Sequence, residues 1–107
     1  PKNDNLQDLP SSATELHRPY IRKSTRKAVE DAADRAADGR FLDANEGFAI
    51  DGKYDLGHKY SHEFWREKKA AESKGWTQKQ FNDYMNNPEF YQIEHPSVNR
   101  SRKHEMK

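Results

Sequence analysis

The spacing of apolar positions, together with helix-capping residues, predicts three helices between about residue 24 and residue 87. Small apolar residues recur every three or four positions from about residue 24 to Gly39, which predicts a first helix of roughly four turns that ends at this glycine. The same spacing over residues 62–74 predicts a second helix, with Gly75 as its stop. A capping-box pattern at residues 77–80 predicts the start of a third helix.

Shorter apolar runs between turn residues predict strands. Residues 41–42 and 48–50 are two such runs separated by Asp, Asn and Gly, and an Asp-Gly turn precedes a third strand at residues 53–56. His58 lies at the end of this third strand. Residues 90–94 alternate in the manner of one further short strand.

The two ends of the chain differ from its middle. Residues 1–20 contain three prolines and many polar residues, which is typical of a linker, so we expect residues 21–107 to form one domain. Residues 98–107 predict a final basic helix that runs to the C-terminus. Because the chain starts with proline rather than methionine, we expect it to be a fragment of a longer protein. The order of elements predicts an α+β fold with a strand, a two-helix insertion, a second strand and a helix, preceded by an N-terminal helix.

Composition narrows the class of protein. Hydrophobic residues make up 32% of the chain, against about 45–50% in typical globular domains. Nevertheless, a net charge of only +1 and the presence of five Phe, five Tyr and two Trp argue against disorder and predict a thin aromatic core. The absence of cysteine excludes disulfides and thiolate metal sites. No apolar run approaches the roughly 20 residues of a membrane span, so no stable membrane association of this domain is expected.

A strand, strand and helix unit of this kind can hold one divalent cation and a phosphodiester between its hairpin and its helix. Hydrolysis requires a base, a cation and basic groups that bind the phosphates. His58 is the candidate base, because a free imidazole is largely neutral at pH 7. Asp55, Asn99 and Glu105 are candidate oxygen ligands for Mg²⁺ or Mn²⁺. The candidate phosphate-binding residues are Lys59, Arg100, Arg102 and Lys103.

Each of these residues has a plainer interpretation. His58 fits an ordinary hydrogen-bonded histidine, Asp55 a turn, and Asn99 a helix cap. The basic residues at the end of the chain would favour the dipole of the last helix. The aromatic residues between positions 64 and 84 could stack on bases, although core packing between the two inserted helices explains them better.

The order of short motifs resembles the GH-E family of polymorphic-toxin nucleases, within the HNH/endonuclease VII (His-Me finger, ββα-metal) superfamily. The resemblance extends from about residue 26 to residue 105. Its motifs are Lys53-Tyr54-Asp55-Leu56-Gly57-His58-Lys59, Glu63-Phe64-Trp65-Arg66, Gly75-Trp76-Thr77, Phe81-Asn82-Asp83, Asn87-Pro88, Tyr91-Gln92, Pro96-Ser97 and Asn99-Arg100-Ser101-Arg102-Lys103-His104-Glu105.

The resemblance implies roles for individual residues. His58 follows the Gly of the name-giving Gly-His pair and is implied as general base, while Glu105 is implied as the Glu and as a metal ligand. Asn99 matches the middle Asn of HNH. Gly57 stands where many HNH enzymes carry a ligating Asp, so the first-strand ligand is Asp55, Glu63 or water. His62 and His104 adjoin the implied site. One divalent cation is implied, with Mg²⁺ as first expectation and Mn²⁺, Zn²⁺ or Ni²⁺ as alternatives.

The resemblance also implies a biological role. We expect a metal-dependent DNase that serves as the C-terminal toxin module of a secreted or cell-surface bacterial effector. Such a module acts in the cytoplasm of the target cell and is neutralised by a cognate immunity protein.

Two alternative functions remain. One is an RNase toxin on the same fold. The other is a non-catalytic DNA-binding module, in which residues 62–86 form a helix-turn-helix that presents Lys74, Lys79 and Gln80 to the groove.

Overall fold

The structure, a computed structural model, describes residues 15–105. Its elements are α1 (Lys23–Ala32), β1 (Asp55–His58), α2 (Phe64–Ser73), α3 (Gln78–Met85), a 3-10 turn (Pro88–Phe90), β2 (Tyr91–Glu94) and α4 (Pro96–Ser101). The two strands pair antiparallel, with Asp55 opposite Glu94 and His58 opposite Tyr91. The predicted α+β class is confirmed, as is the order of a strand, two helices, a strand and a helix.

The hydrophobic core lies between α1, α3 and the hairpin. Phe81 and Met85 on α3 are fully buried, and Ile93 of β2 is almost completely buried, so the core interpretation of Phe81 is confirmed. Leu16 is buried with them in the same cluster. The linker-like segment therefore contributes to the core from residue 16 onward, while residues 1–14 lie outside the described part of the chain.

The two inserted helices begin and end close to the predicted residues, although α2 begins at Phe64 rather than at residue 62. Thr77 Oγ1 accepts the backbone N–H of Gln80, and the Gln80 side chain accepts the backbone N–H of Thr77, which completes the capping box. Gly75 takes a φ of 73° between α2 and α3, a conformation that favours glycine. These local signals fix the length of the insertion that separates β1 from β2.

The prediction for the first helix was wrong in length. The helix α1 ends at Ala32, because Ala33 is extended and the chain turns back so that Arg35 bridges Phe41. The Arg35 guanidinium lies 3.9 Å from the centre of the Phe41 ring and also donates to the Gly39 carbonyl. These tertiary contacts override the helical propensity of the alanines.

The strands predicted at residues 41–42 and 48–50 are reduced to isolated bridges, of which one joins Leu42 to Ala49. The segment folds around Asp43, which is 1% exposed. One carboxylate oxygen of Asp43 accepts the backbone N–H groups of Asn45 and Glu46, and the other accepts that of His95. This loop is thereby tied to the junction of β2 and α4.

The final helix is shorter than predicted. It ends at Ser101, because Arg102 adopts a left-handed conformation with φ 61°. His104 and Glu105 therefore lie in the turn that follows α4 rather than on a helix, and residues 106–107 lie outside the described part. Over residues 15–105, no helix is long and apolar enough to span a membrane.

Candidate active site

Two cavities meet where β1, α4 and the turn after α4 come together. The larger, of about 400 Å³, and the smaller, of about 30 Å³, share four lining residues: His58, Asn99, Arg102 and Glu105. His58 and Glu105 are remote in sequence, yet the turn at Arg102 brings Glu105 back to the end of β1. The structure thus brings together three of the four residues predicted for base and cation binding. We call the two cavities together the His58 cleft.

The imidazole of His58 is held at the end of β1 by an aromatic contact. Its ring centre lies 4.8 Å from that of Tyr91, and the Tyr91 hydroxyl donates to the Met85 carbonyl at 2.7 Å. Burial first, and then the charge of Arg18, lowers the pKa of His58 from its usual 6.5 to about 4, while Glu105 acts in the opposite direction. The imidazole is therefore neutral at pH 7 and can accept a proton.

Gly57 lets three elements meet at one point of β1. A Cβ atom at this position would collide with the carboxylate of Glu94 and would lie 2.9 Å from Oδ1 of Asn99. The missing side chain lets an acidic group of β2 and an amide of α4 lie against the strand beside His58. The glycine of the Gly-His pair therefore has a steric role, in addition to the chemical role of the His58 imidazole.

Glu94 is a site residue that the sequence did not reveal. It lines the smaller cavity and is 4% exposed. Burial raises its pKa, although the amide of Gln92 donates to it at 3.0 Å, and the neighbouring charge of Asp43 raises the pKa further. In the sequence, Glu94 is an acidic residue in a predicted strand, and the alternation of that strand predicts that its side chain faces solvent.

Asp55 occupies a different position from the one expected of a first-strand metal ligand. Its carboxylate accepts Nδ2 of Asn99 at 3.0 Å, and both of its oxygens accept the guanidinium of Arg100, at 3.1 and 3.2 Å. It does not line the His58 cleft. In this structure Asp55 joins α4 to β1. Because Nδ2 of Asn99 donates to Asp55, Oδ1 of Asn99 is left directed toward Gly57.

Of the predicted phosphate-binding residues, only Arg102 lines the His58 cleft. Arg100 is paired with Asp55, and Lys103 is paired with Glu46 at 2.6 Å. Lys59 lines a separate cavity of about 550 Å³ between α1 and β2, which does not include His58. DNA binding by these residues stays a prediction.

The remaining candidate ligands are divided between two locations. His62 lies outside the cleft, because its Nδ1 pairs with Glu67 at 2.6 Å and its ring stacks on Phe90. Glu63 is buried and accepts the backbone N–H of Ser61. His104 lines the smaller cavity while its Nε2 lies 3.0 Å from the carboxylate of Glu46.

The donor groups of the smaller cavity fit an oxygen-preferring cation. Within residues 15–105 there is no cluster of three or more His, Asp or Glu side chains positioned to hold a metal. Glu94 and Glu105 nevertheless line this cavity together with the amide of Asn99. Mg²⁺ is commonly bound through one or two carboxylates and keeps several waters, so this set is compatible with it.

Residues 38–105 match the model of the GH-E family, which is described as an HNH/endonuclease VII superfamily nuclease with conserved Gly, His and Glu residues. No solved structure gives a significant match to the chain. The matched segment spans both strands, the two inserted helices and α4, and it includes Gly57 and His58. It covers more than half of the sequence, so the chain belongs to the GH-E family of HNH/endonuclease VII nucleases.

Proposed function

We propose that this protein is a metal-dependent DNA endonuclease in which His58 is the general base. The observation that carries the proposal is the meeting of a neutral imidazole and the Glu105 carboxylate in one cleft, since both line the same two cavities. Membership of a nuclease family supports phosphodiester hydrolysis. A base beside a group of hard oxygen donors is what that reaction requires.

Each residue of the cleft has its own role in the proposed reaction. His58 accepts a proton from water as the water oxygen forms a bond to phosphorus and the bond to the 3′ oxygen breaks. The Tyr91 ring packs against the imidazole at a tilt of 48°, and burial raises the pKa of the Tyr91 hydroxyl to about 12, so the hydroxyl stays protonated. A divalent cation, when held by oxygens of Glu94, Asn99 and Glu105, supplies Lewis-acid stabilisation of negative charge on the phosphate.

The decisive experiment compares the wild type with His58→Ala on plasmid DNA and on total RNA in the presence of Mg²⁺. Wild type is expected to cleave the plasmid, and the variant to lose about 10²- to 10⁴-fold in rate, the usual contribution of a general base. His17→Ala is the matched control, because this exposed histidine lies outside the cleft and its described hydrogen bonds use only its backbone.

Each alternative outcome has a definite meaning. Cleavage of RNA alone would replace DNA by RNA as the substrate. Equal cleavage by wild type and His58→Ala would remove His58 from the mechanism. The helix-turn-helix alternative has little support in the structure, because Gln80 is bound in the capping box and Lys79 pairs with Asp83.

We further propose that the domain is the toxin module of a secreted or cell-surface bacterial effector and acts in the cytoplasm of the target cell. The support is the resemblance to polymorphic-toxin nucleases, together with the positive charge of Arg18 in the His58 cleft. A cognate immunity protein with an acidic surface would complement that charge and speed its own association.

Expression of wild type in bacterial cytoplasm is expected to arrest growth, and His58→Ala to abolish the arrest at equal protein level. Unimpaired growth with active wild-type enzyme would reject the toxin role.

A further inference from the structure

The segment of residues 15–20, which we call the N-terminal strap, carries a cation into the His58 cleft. Arg18 lines the larger cavity together with His58 and Glu105. The strap precedes α1 and lies outside the family-matched residues 38–105. The cleft therefore contains a side chain that the family match does not account for.

The strap is fixed in place on α2 and α3 by several independent contacts. Leu16 is 2% exposed, and its backbone N–H donates to the Glu72 carboxylate at 2.9 Å. The next residue, His17, exchanges two backbone hydrogen bonds with the Gln78 side chain, at 2.8 and 2.9 Å. Arg18 thus projects from an anchored segment.

The Arg18 guanidinium is placed by an aromatic ring rather than by an acid. It lies 4.1 Å from the centre of the Phe64 ring, and within residues 15–105 no carboxylate forms an ion pair or hydrogen bond with it. By contrast, Arg102 on the same cleft is paired with Glu105 at 3.0 Å. Among the described residues Arg18 is therefore the cleft arginine whose charge is not offset by an acidic partner.

Arg18 and His58 line the same cavity. A planar guanidinium beside the base matches the geometry of a phosphate, to which arginine can donate two hydrogen bonds. We propose that Arg18 binds a phosphate of the nucleic-acid substrate next to His58, and that the N-terminal strap holds this side chain in the active site. This inference rests on the proposed nuclease function.

Binding and turnover are tested separately. In the His58→Ala background with EDTA, the affinity for a short fluorescein-labelled DNA duplex is measured by anisotropy over a series of salt concentrations. Adding Arg18→Gln is expected to weaken binding and to reduce the slope of log K against log salt by about one. In the otherwise wild-type enzyme, Arg18→Gln is expected to lower kcat/KM by about ten- to a hundred-fold, and Arg18→Lys to restore part of the loss.

Arg26→Gln is the matched control, since it removes an equal charge from an exposed residue of α1 outside the cleft. The proposal is overturned if Arg18→Gln and Arg26→Gln give the same salt slope and the same kcat/KM. It is also overturned if a lower activity of Arg18→Gln is matched by a lower unfolding temperature and unchanged binding, because that result indicates a structural role. Absence of cleavage by wild type would reject the proposed function instead, and the binding comparison would still decide the role of Arg18.

Discussion

At the scale of single residues, Gly57 determines how closely the elements of the site can approach one another. Its φ is not in the left-handed region, so alanine is excluded there by the Glu94 carboxylate rather than by backbone strain. Gly57→Ala is expected to destabilise the protein by about 1–3 kcal/mol, the usual cost of overpacking, and to lower nuclease activity. Urea unfolding and plasmid cleavage measure the two effects.

A double-mutant cycle identifies the cause of that cost. In a Glu94→Ala background the obstructing carboxylate is gone, so Gly57→Ala should cost less than in the wild type. An equal cost in both backgrounds would show that the contact with Glu94 is not responsible.

Glu94 itself is expected to trade stability for function. Burial raises its pKa in the folded state, so the folded protein binds more protons than the unfolded chain between the two pKa values, and stability falls as pH rises through this window. Glu94→Gln removes the charge and should stabilise the fold at pH 7 by roughly 1 kcal/mol, the order of a buried desolvation cost, with no gain below the usual pKa of about 4.5. Unfolding curves at pH 4 and 7 test this, with exposed Glu89→Gln as control. A gain of equal size at both pH values would contradict it.

The sequence predicted some site residues and missed others for physical reasons. The sequence predicted that His58, Asn99 and Glu105 lie together, because strand and helix order brings the ends of those elements together, and all three line the His58 cleft. Glu94 was missed because its burial depends on the packing of the loop around Asp43, which no local pattern encodes. Arg18 was missed because a proline-rich composition is typical of a linker, whereas the buried Leu16 anchors that segment.

At the scale of elements, the bond between β1 and α4 depends on Asp55. Its carboxylate accepts both Asn99 and Arg100 and is 20% exposed. Asp55→Ala is therefore expected to cost about 1–2 kcal/mol of stability even in EDTA, because donors of α4 lose their acceptor. Urea unfolding measures this cost.

The matched control for Asp55 is Asp51→Ala, which removes an 86% exposed carboxylate paired with Arg40 and should cost less than about 1 kcal/mol. If both variants had the same stability in EDTA while only Asp55→Ala lost activity, Asp55 would be a metal ligand rather than an anchor for α4.

Helix prediction succeeded for the two inserted helices, where the local signals were strong, and overestimated the length of α1 and α4. The capping box at Thr77 and the glycine at position 75 fixed the ends of the inserted helices. The first helix stops early because Arg35 and Phe41 pair across a turn, and α4 stops early because Arg102 adopts a left-handed conformation.

At the scale of the whole molecule, a small core makes each large buried side chain important. Leu16→Ala is expected to cost about 2–5 kcal/mol, the range for buried leucines, and thermal unfolding measures it. Tyr20→Ala, on the same strap but 75% exposed, should change stability by less than about 0.5 kcal/mol. Equal stability of the two variants would show that the strap does not belong to the folded unit.

The left-handed conformation of Arg102 has a consequence for how this nuclease can vary. One residue inserted within α4 would rotate everything after it by about 100°, and Glu105 would swing away from the imidazole although every side chain was kept. An insertion in the exposed turn at residues 37–39 is expected to displace no group of the cleft, because none of these residues lines it. Length changes after Pro96 are therefore more damaging than most substitutions there, and natural variants should differ in that stretch by exchange of residues rather than by gain or loss of them.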